Sequence, residues 1–87
     1  MSPEARKQAQ VDHAPHLSKK ARAIKLADKI SNLRDMVNSP PHDWELARLQ
    51  QYFEWARQVI DGLPDDWPEL KAVFDQQYKR KPTVLPT

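Results

Sequence analysis

Three sets of side chains in this 87-residue sequence are spaced to do chemistry. Lys25, Asp28, Asn32 and Asp35 follow at intervals of 3, 4 and 3, which places them on one face of any helix that holds them. A carboxylate with an amide one turn later suits a divalent cation or a phosphate, because hard cations take oxygen ligands. One carboxylate does not complete a metal site, which normally draws three or more ligands from the protein. On spacing alone, a solvated helix face carrying Lys–Asp pairs is the commoner outcome. Trp44, Arg48, Tyr52 and Trp55 form the second set, at intervals of 4, 4 and 3. Aromatic faces beside a guanidinium suit the stacking of a base and the pairing of a phosphate. The more frequent fate of such aromatics is packing on a neighbouring helix. The histidines form the third set. Pro15 falls between His13 and His16 and breaks the geometry of a two-histidine helical site, while His42 lies in a Pro-Pro loop, so none is assigned to a metal.

The elements that must position these residues are helical. Residues 1–17 read as a short helix or coil ending at Ala14-Pro15, because proline disfavours helical geometry in the residue before it. Ser18 is the expected N-cap of a helix over 18–38. Within that helix Leu26, Ile30, Leu33 and Val37, spaced 4, 3 and 4, make one apolar stripe that Ala23 and Ala27 widen. Asn38-Ser39-Pro40-Pro41 ends it. Asp43 is the expected N-cap of a second helix over 44–61, where Leu46, Leu49, Phe53, Ala56, Ile60 and Leu63 repeat at 3, 4, 3, 4 and 3. Gly62, the single glycine, stands where a left-handed residue closes a helix. Asp66 is the expected cap of a third helix over 67–79, with Pro68 in its first turn and Leu70, Val73, Phe74 and Tyr78 on its apolar side. Residues 80–87 read as a flexible tail. The expected architecture is all-α, with three main helices and no strand pattern, and residues 1–87 form one partial domain. Its core is thin and its aromatics exceed what one stripe needs. That predicts missing material: a partner chain, a homo-oligomer, or the rest of a larger domain.

Composition removes whole classes. Without cysteine there is no disulfide scaffold, zinc–thiolate cluster or thiol nucleophile, and one glycine cannot build a Gly-rich phosphate loop. No apolar run approaches the roughly 20 residues of a membrane span, and no signal-type apolar segment opens the sequence. The expectation is a soluble, cytoplasmic protein with no membrane partner. Charge is uneven: +4 over residues 1–37, −5 over 38–78, and +3 from Lys79, Arg80 and Lys81. So dipolar a chain is not expected to bind DNA, which calls for one continuous basic face, although the basic first segment can meet an anionic small molecule.

The stretch from His13 to Met36, HAPHLSKKARAIKLADKISNLRDM, carries a resemblance. It is similar to the second half of the HD-domain alarmone hydrolases, and most of all to the small SpoT-like guanosine tetraphosphate 3′-pyrophosphohydrolases. In that group an H-A-P-x-L-S turn leads into K-L-A-D-K-[LI]-x-N-L-R-D, which stands here as Lys25 to Asp35. A loop then reaches Trp44, and Arg48 to Trp55 resembles the family's R-x-x-x-Y-x-E-W segment. The resemblance continues to Gly62-Leu63 and more loosely to Phe74. It implies that Asp28 is the last protein ligand of a divalent metal, usually manganese, and that Asn32 holds the nucleotide near the scissile phosphate. It implies too that Arg48 and Tyr52 line the nucleotide pocket, with Trp44 in a loop that closes over it. In such enzymes the metal polarises the pyrophosphate and activates water. The family's other ligands, a His and a His-Asp pair, come from earlier helices, as do its acidic residues near the attacking water. The expectation is a piece of a guanosine tetraphosphate hydrolase that is inactive alone and partnered by an N-terminal half. Two alternatives remain: a non-catalytic helical module that self-associates or regulates a partner through its second-helix stripe, and a fragment that senses the alarmone without cleaving it.

Overall fold

The structure is a computed structural model that describes residues 2–83. Among these residues the chain is all-α, with four helices: α1 (Pro3–His13), α2 (Lys19–Asn38), α3 (Leu46–Asp61) and α4 (Pro68–Tyr78), and a 3₁₀ turn (Ala14–His16) between α1 and α2. The sequence predicts three main helices, and the structure has four. The fourth, α1, resolves the choice between helix and coil for the N-terminal segment. Ser2 Oγ accepts the Ala5 N–H at 3.1 Å, Pro3 sits in the first turn where its missing N–H costs nothing, and Glu4 faces the positive end of the helix dipole.

α2 starts as the sequence predicts, with Ser18 Oγ accepting the Ala21 N–H at 3.2 Å. Three other boundary expectations are corrected. Asp43 does not cap α3: after Pro40-Pro41 the chain makes a turn in which the Trp44 N–H bonds the Pro41 carbonyl at 3.3 Å, so Asp43 is used up inside the turn. The helix begins at Leu46, with extended Glu45 as its cap. Gly62 is not left-handed but right-handed helical, at φ −76° and ψ −10°. α3 ends instead because Leu63 is drawn into the core, its N–H closing a tighter turn onto the Ile60 carbonyl at 3.0 Å, and Pro64 cannot continue the helix. Asp66 does not cap α4, because its carboxylate is taken by Arg22 of α2. Trp67 occupies the cap position instead, ahead of Pro68.

The core lies along α3. Leu49, Phe53, Ala56 and Val59 are wholly buried and Ile60 nearly so. Leu26 and Leu33 of α2, Phe74 of α4, Leu63, and Ala14 of the 3₁₀ turn close over most of this stripe. Burying each large side chain contributes about 1.5–3 kcal/mol, enough for a small domain only if nearly all of them are buried. The α3 stripe that could have formed an intermolecular seam is thus consumed within the chain.

Two indoles secure the N-terminal third in the same way. Trp55 Nε1 donates to the Lys7 carbonyl at 3.1 Å while the Lys7 ammonium stands 5.5 Å from the Trp55 ring centre. Trp67 Nε1 donates to the Lys19 carbonyl at 2.9 Å, and the Lys19 ammonium stands 5.5 Å from its ring. α1 has no buried residue of its own, so the first clip and half-buried Val11 hold it to α3.

The segment expected as a flexible tail is tethered where it is described. Arg80 donates to Asn38, Lys81 Nζ to Glu54 at 2.5 Å, and Gln50 Nε2 to the Pro82 carbonyl at 3.0 Å. Residues 84–87 of that expectation lie outside the described residues. Hydrogen bonds from Lys81 and from the Tyr78 hydroxyl hold the Glu54 carboxyl below its ordinary value. A depressed carboxylate stabilises the fold above its unfolded pKa and loses that effect as pH falls through the folded one. Acidification below the ordinary carboxylate range should therefore release residues 79–82, read as loss of their distinct amide shifts in NMR spectra while the core signals persist.

The helix end gives a second prediction. Gly62→Ala should raise unfolding stability by about 0.4–1 kcal/mol, since the backbone is helical and an added Cβ meets nothing closer than 3.5 Å. Leu33→Ala should lower it by about 2–5 kcal/mol. Urea denaturation followed by circular dichroism measures both; a destabilised Gly62→Ala would restore the left-handed reading.

Candidate functional site

The polar face of α2 and the aromatic stripe of α3, two separate patterns in the sequence, meet in the structure. Asp28 is half exposed on α2. Asn32, one turn on, points its amide at the Asp28 carboxylate, Nδ2 to Oδ2 at 3.4 Å. Across the groove Tyr52 of α3 reaches the same pair. Burial pushes its phenol above the ordinary value, a hydrogen bond donated by Asn32 opposes the rise, and the Asp28 charge adds to it. At neutral pH Tyr52 is therefore a protonated hydroxyl able to donate.

The aromatic stripe is continuous. The Trp44 and Tyr52 ring centres are 6.0 Å apart, and those of Tyr52 and Trp55 are 5.4 Å apart in an edge-to-face contact. Arg48 lies over Trp44, its guanidinium carbon 4.1 Å from the ring centre, although the Arg48 side chain is otherwise exposed. The outer end of the stripe thus presents a planar cation stacked on an indole, and the inner end is built into the fold through Trp55.

Lys29 joins the two sets and was not singled out by spacing. It is only 4% exposed, the one charged side chain among the described residues buried to that degree. Its ammonium sits 4.2 Å from the centre of the Trp55 ring and 3.6 Å from Asp28 Oδ2. Burial lowers its pKa, the Asp28 carboxylate opposes that, and Lys25 on the same helix adds to it. An ammonium removed from water needs such partners, and here an indole face and a carboxylate supply them. The sequence signal that could have found Lys29 is its place three residues after Leu26 and four before Leu33, which puts it beside the apolar stripe.

The arrangement gathers Asp28, Asn32, Trp44, Arg48 and Tyr52, all five residues expected at a site. Lys25 lies further along α2 toward its start, and Asp35 is exposed. His13 and His16 are neighbours, with ring centres 6.5 Å apart, but belong to the other end of α2. The chain also holds a His-Asp dipeptide, His42-Asp43, in the exposed turn before α3. It follows Asp28 in the sequence, whereas the resembling family draws its His-Asp pair from upstream. Among the described residues no three histidine or acidic side chains converge as metal ligands. One carboxylate oxygen flanked by an ammonium and an amide does not fit a metal ion by itself. The face presents a guanidinium and an indole at one end and a hydroxyl and an amide at the other, groups whose chemistry suits an anionic, ring-bearing molecule.

Fold and face together define an all-α chain with a one-sided, incomplete polar site. No protein-family model matches it. Among curated proteins it is similar to the guanosine-3′,5′-bis(diphosphate) 3′-pyrophosphohydrolase MESH1 of Xenopus tropicalis, 52% identical over 73 residues that make up 84% of this chain and 41% of that protein. The Homo sapiens counterpart is 43% identical over 76 residues, 87% of this chain and 42% of the relative. The Drosophila melanogaster counterpart is 37% identical over 78 residues, 90% of this chain and 44% of the relative. By sequence the chain is similar to a part of these pyrophosphohydrolases, the C-terminal half of such a small hydrolase. It spans less than half the length of the curated relatives it matches.

Trp55 offers a direct test of how the site is held. Trp55→Phe keeps an aromatic face for Lys29 but removes the N–H that bonds α1. It should cost about 1 kcal/mol of stability and raise amide exchange selectively across residues 3–13. Unchanged protection there would show that α1 is held by something other than the indole.

Proposed function

We propose that this chain forms the nucleotide-facing half of a guanosine-3′,5′-bis(diphosphate) 3′-pyrophosphohydrolase with an HD-type helical fold, and that it hydrolyses nothing until the remainder of the site is supplied. The observation that carries this reading is the meeting of Asp28, Asn32, Tyr52, Arg48 and Trp44 on one open face, in a sequence 37–53% identical to proteins of that named activity.

Each residue takes a role its surroundings permit. Arg48 offers two parallel N–H donors to a phosphate or pyrophosphate group. Trp44, under Arg48, offers a face for stacking. The protonated Tyr52 hydroxyl donates to a phosphate oxygen, and the Asn32 amide orients both the Asp28 carboxylate and the ligand beside it. Asp28 would supply one oxygen ligand to a divalent cation, manganese by family resemblance. Such an ion acts as Lewis acid and water activator in hydrolases of this kind. Its other ligands come from outside this chain, because the residues present do not hold a metal alone. A nucleotide substrate and the lack of any described helix long and apolar enough to cross a membrane accord with a cytoplasmic protein.

The alternative of a self-associating module loses its main support, since the α3 stripe is buried within the chain. The test is complementation. The chain is coexpressed with the part of the Xenopus tropicalis relative that precedes the matched region, and pyrophosphate release from guanosine tetraphosphate is measured with manganese. Hydrolysis by the pair and none by the chain alone is expected. Asp28→Asn should cut the rate of the pair at least 100-fold while the pair still co-purifies, since losing a ligand exceeds the roughly 10–100-fold effect of losing a ligand's supporting partner. A folded pair that leaves the nucleotide intact would defeat the proposal.

A further inference from the structure

A lysine beside an apolar stripe extends its ammonium to water, yet Lys29 keeps only 4% of its surface exposed. Its ion-pair partner, Asp28, is its neighbour in sequence. Side chains one residue apart on a helix point about 100° from each other and do not face. The 3.6 Å between Lys29 Nζ and Asp28 Oδ2 therefore requires the lysine side chain to turn back toward its neighbour. The Trp55 ring holds it there, with the ammonium 4.2 Å from the ring centre. That ring is itself fixed, by its Nε1 bond to the Lys7 carbonyl and by its edge-to-face contact with Tyr52.

We infer that Lys29 is a positioning residue, whose ammonium, propped on Trp55, sets the direction in which the Asp28 carboxylate faces the groove. The inference rests on the proposed function and adds which group aims its carboxylate. Both side-chain partners of Asp28 among the described residues reach the same oxygen: Lys29 Nζ stands 3.6 Å and Asn32 Nδ2 3.4 Å from Oδ2. Held through Oδ2 by two donors, the half-exposed carboxylate keeps one orientation, with Oδ1 left to whatever enters the groove. Packing does not call for this charge. A methionine fills nearly the same space, and exchanging a buried ionic group for an apolar one of like volume is often neutral or stabilising. Asp28 loses little when its partner goes, because water reaches it. A buried ammonium that stability does not need, set against the one carboxylate of the site, has its use in aiming that carboxylate.

The test reads the carboxylate separately from hydrolysis. In the full 87-residue chain, Lys29→Met should leave melting unchanged or raise it, and should move the Asn32 side-chain amide signal in NMR spectra. Lys29→Arg, which keeps a cation on the indole, should return that signal toward its original place. Lys20→Met, which removes the same charge from an exposed position on α2, should leave it alone. In the Asp28→Asn chain, Lys29→Met should add no further movement, because the carboxylate through which it acts is gone. In the coexpressed pair, Lys29→Met should lower the rate about 10–100-fold, the usual effect of losing a supporting partner of this kind, and Lys29→Arg should recover most of it. An Asn32 signal that ignores Lys29→Met, or that moves equally with and without the Asp28 charge, would overturn the inference even in a pair that hydrolyses the nucleotide. Undiminished hydrolysis by the Lys29→Met pair would overturn it as well, and so would a chain that Lys29→Met unfolds, since the charge would then belong to the fold. A pair that never hydrolyses, with the signal moving only when Asp28 is a carboxylate, would uphold the aiming of Asp28 and defeat the proposed activity.

Discussion

Everything in this fold is arranged around the apolar side of α3. Leu49, Phe53, Ala56, Val59 and Ile60 leave almost no surface to solvent, and each other helix is placed by what it lays against them. α2 brings Leu26 and Leu33, α4 brings Phe74, and the 3₁₀ turn brings Ala14. Three helices around one leave the molecule thin, with Cα extents of 40 × 33 × 15 Å. A slab of that thickness is little more than one helix deep in places. Its faces must therefore serve as sites or interfaces, since there is no interior left in which to hide a pocket.

Placing the site follows from the same constraint. α2 turns one side to the core, and the residues next to that side are forced to the boundary where α2 and α3 meet. Lys29 falls there, and its burial is tolerable because Trp55 and Asp28 stand on either hand. The indole that shelters the ammonium also bonds α1, so the position of an apparently peripheral helix and the surroundings of the candidate carboxylate share one side chain.

Much of this was legible in the sequence where local rules decide. The Ser18 cap, the Leu26–Ile30–Leu33 stripe and the α3 repeat each depend on residues within a few turns of one another. The expectations that failed were overruled by distant partners. Asp66 looks like a cap until Arg22, 44 residues earlier, takes its carboxylate. Gly62 looks left-handed until the pull of Leu63 into the core ends the helix by another route. Asp43 was lost to a proline-driven turn. The site was legible as two lists of residues, Asp28 with Asn32, and Trp44 with Arg48 and Tyr52. That the lists face each other depends on how α2 packs on α3, which periodicity does not encode. The spacing of Lys29 from Leu26 and Leu33 places it beside the stripe but does not tell that it is buried, because a lysine there normally extends its ammonium to water.

The two tryptophan clips have a consequence for the order in which the chain can become structured. Each indole bonds a carbonyl 48 residues earlier, Trp55 to Lys7 and Trp67 to Lys19. As the polypeptide leaves the ribosome, the first helix has no buried residue to hold it and must wait for the third, and the start of α2 waits longer still. Closing loops of that length costs entropy before any contact rewards it, which slows folding relative to a bundle of sequential hairpins. Within these residues, the contacts that tie the N-terminal third to α3 and α4 are complete only once the second of the two indoles has been synthesised.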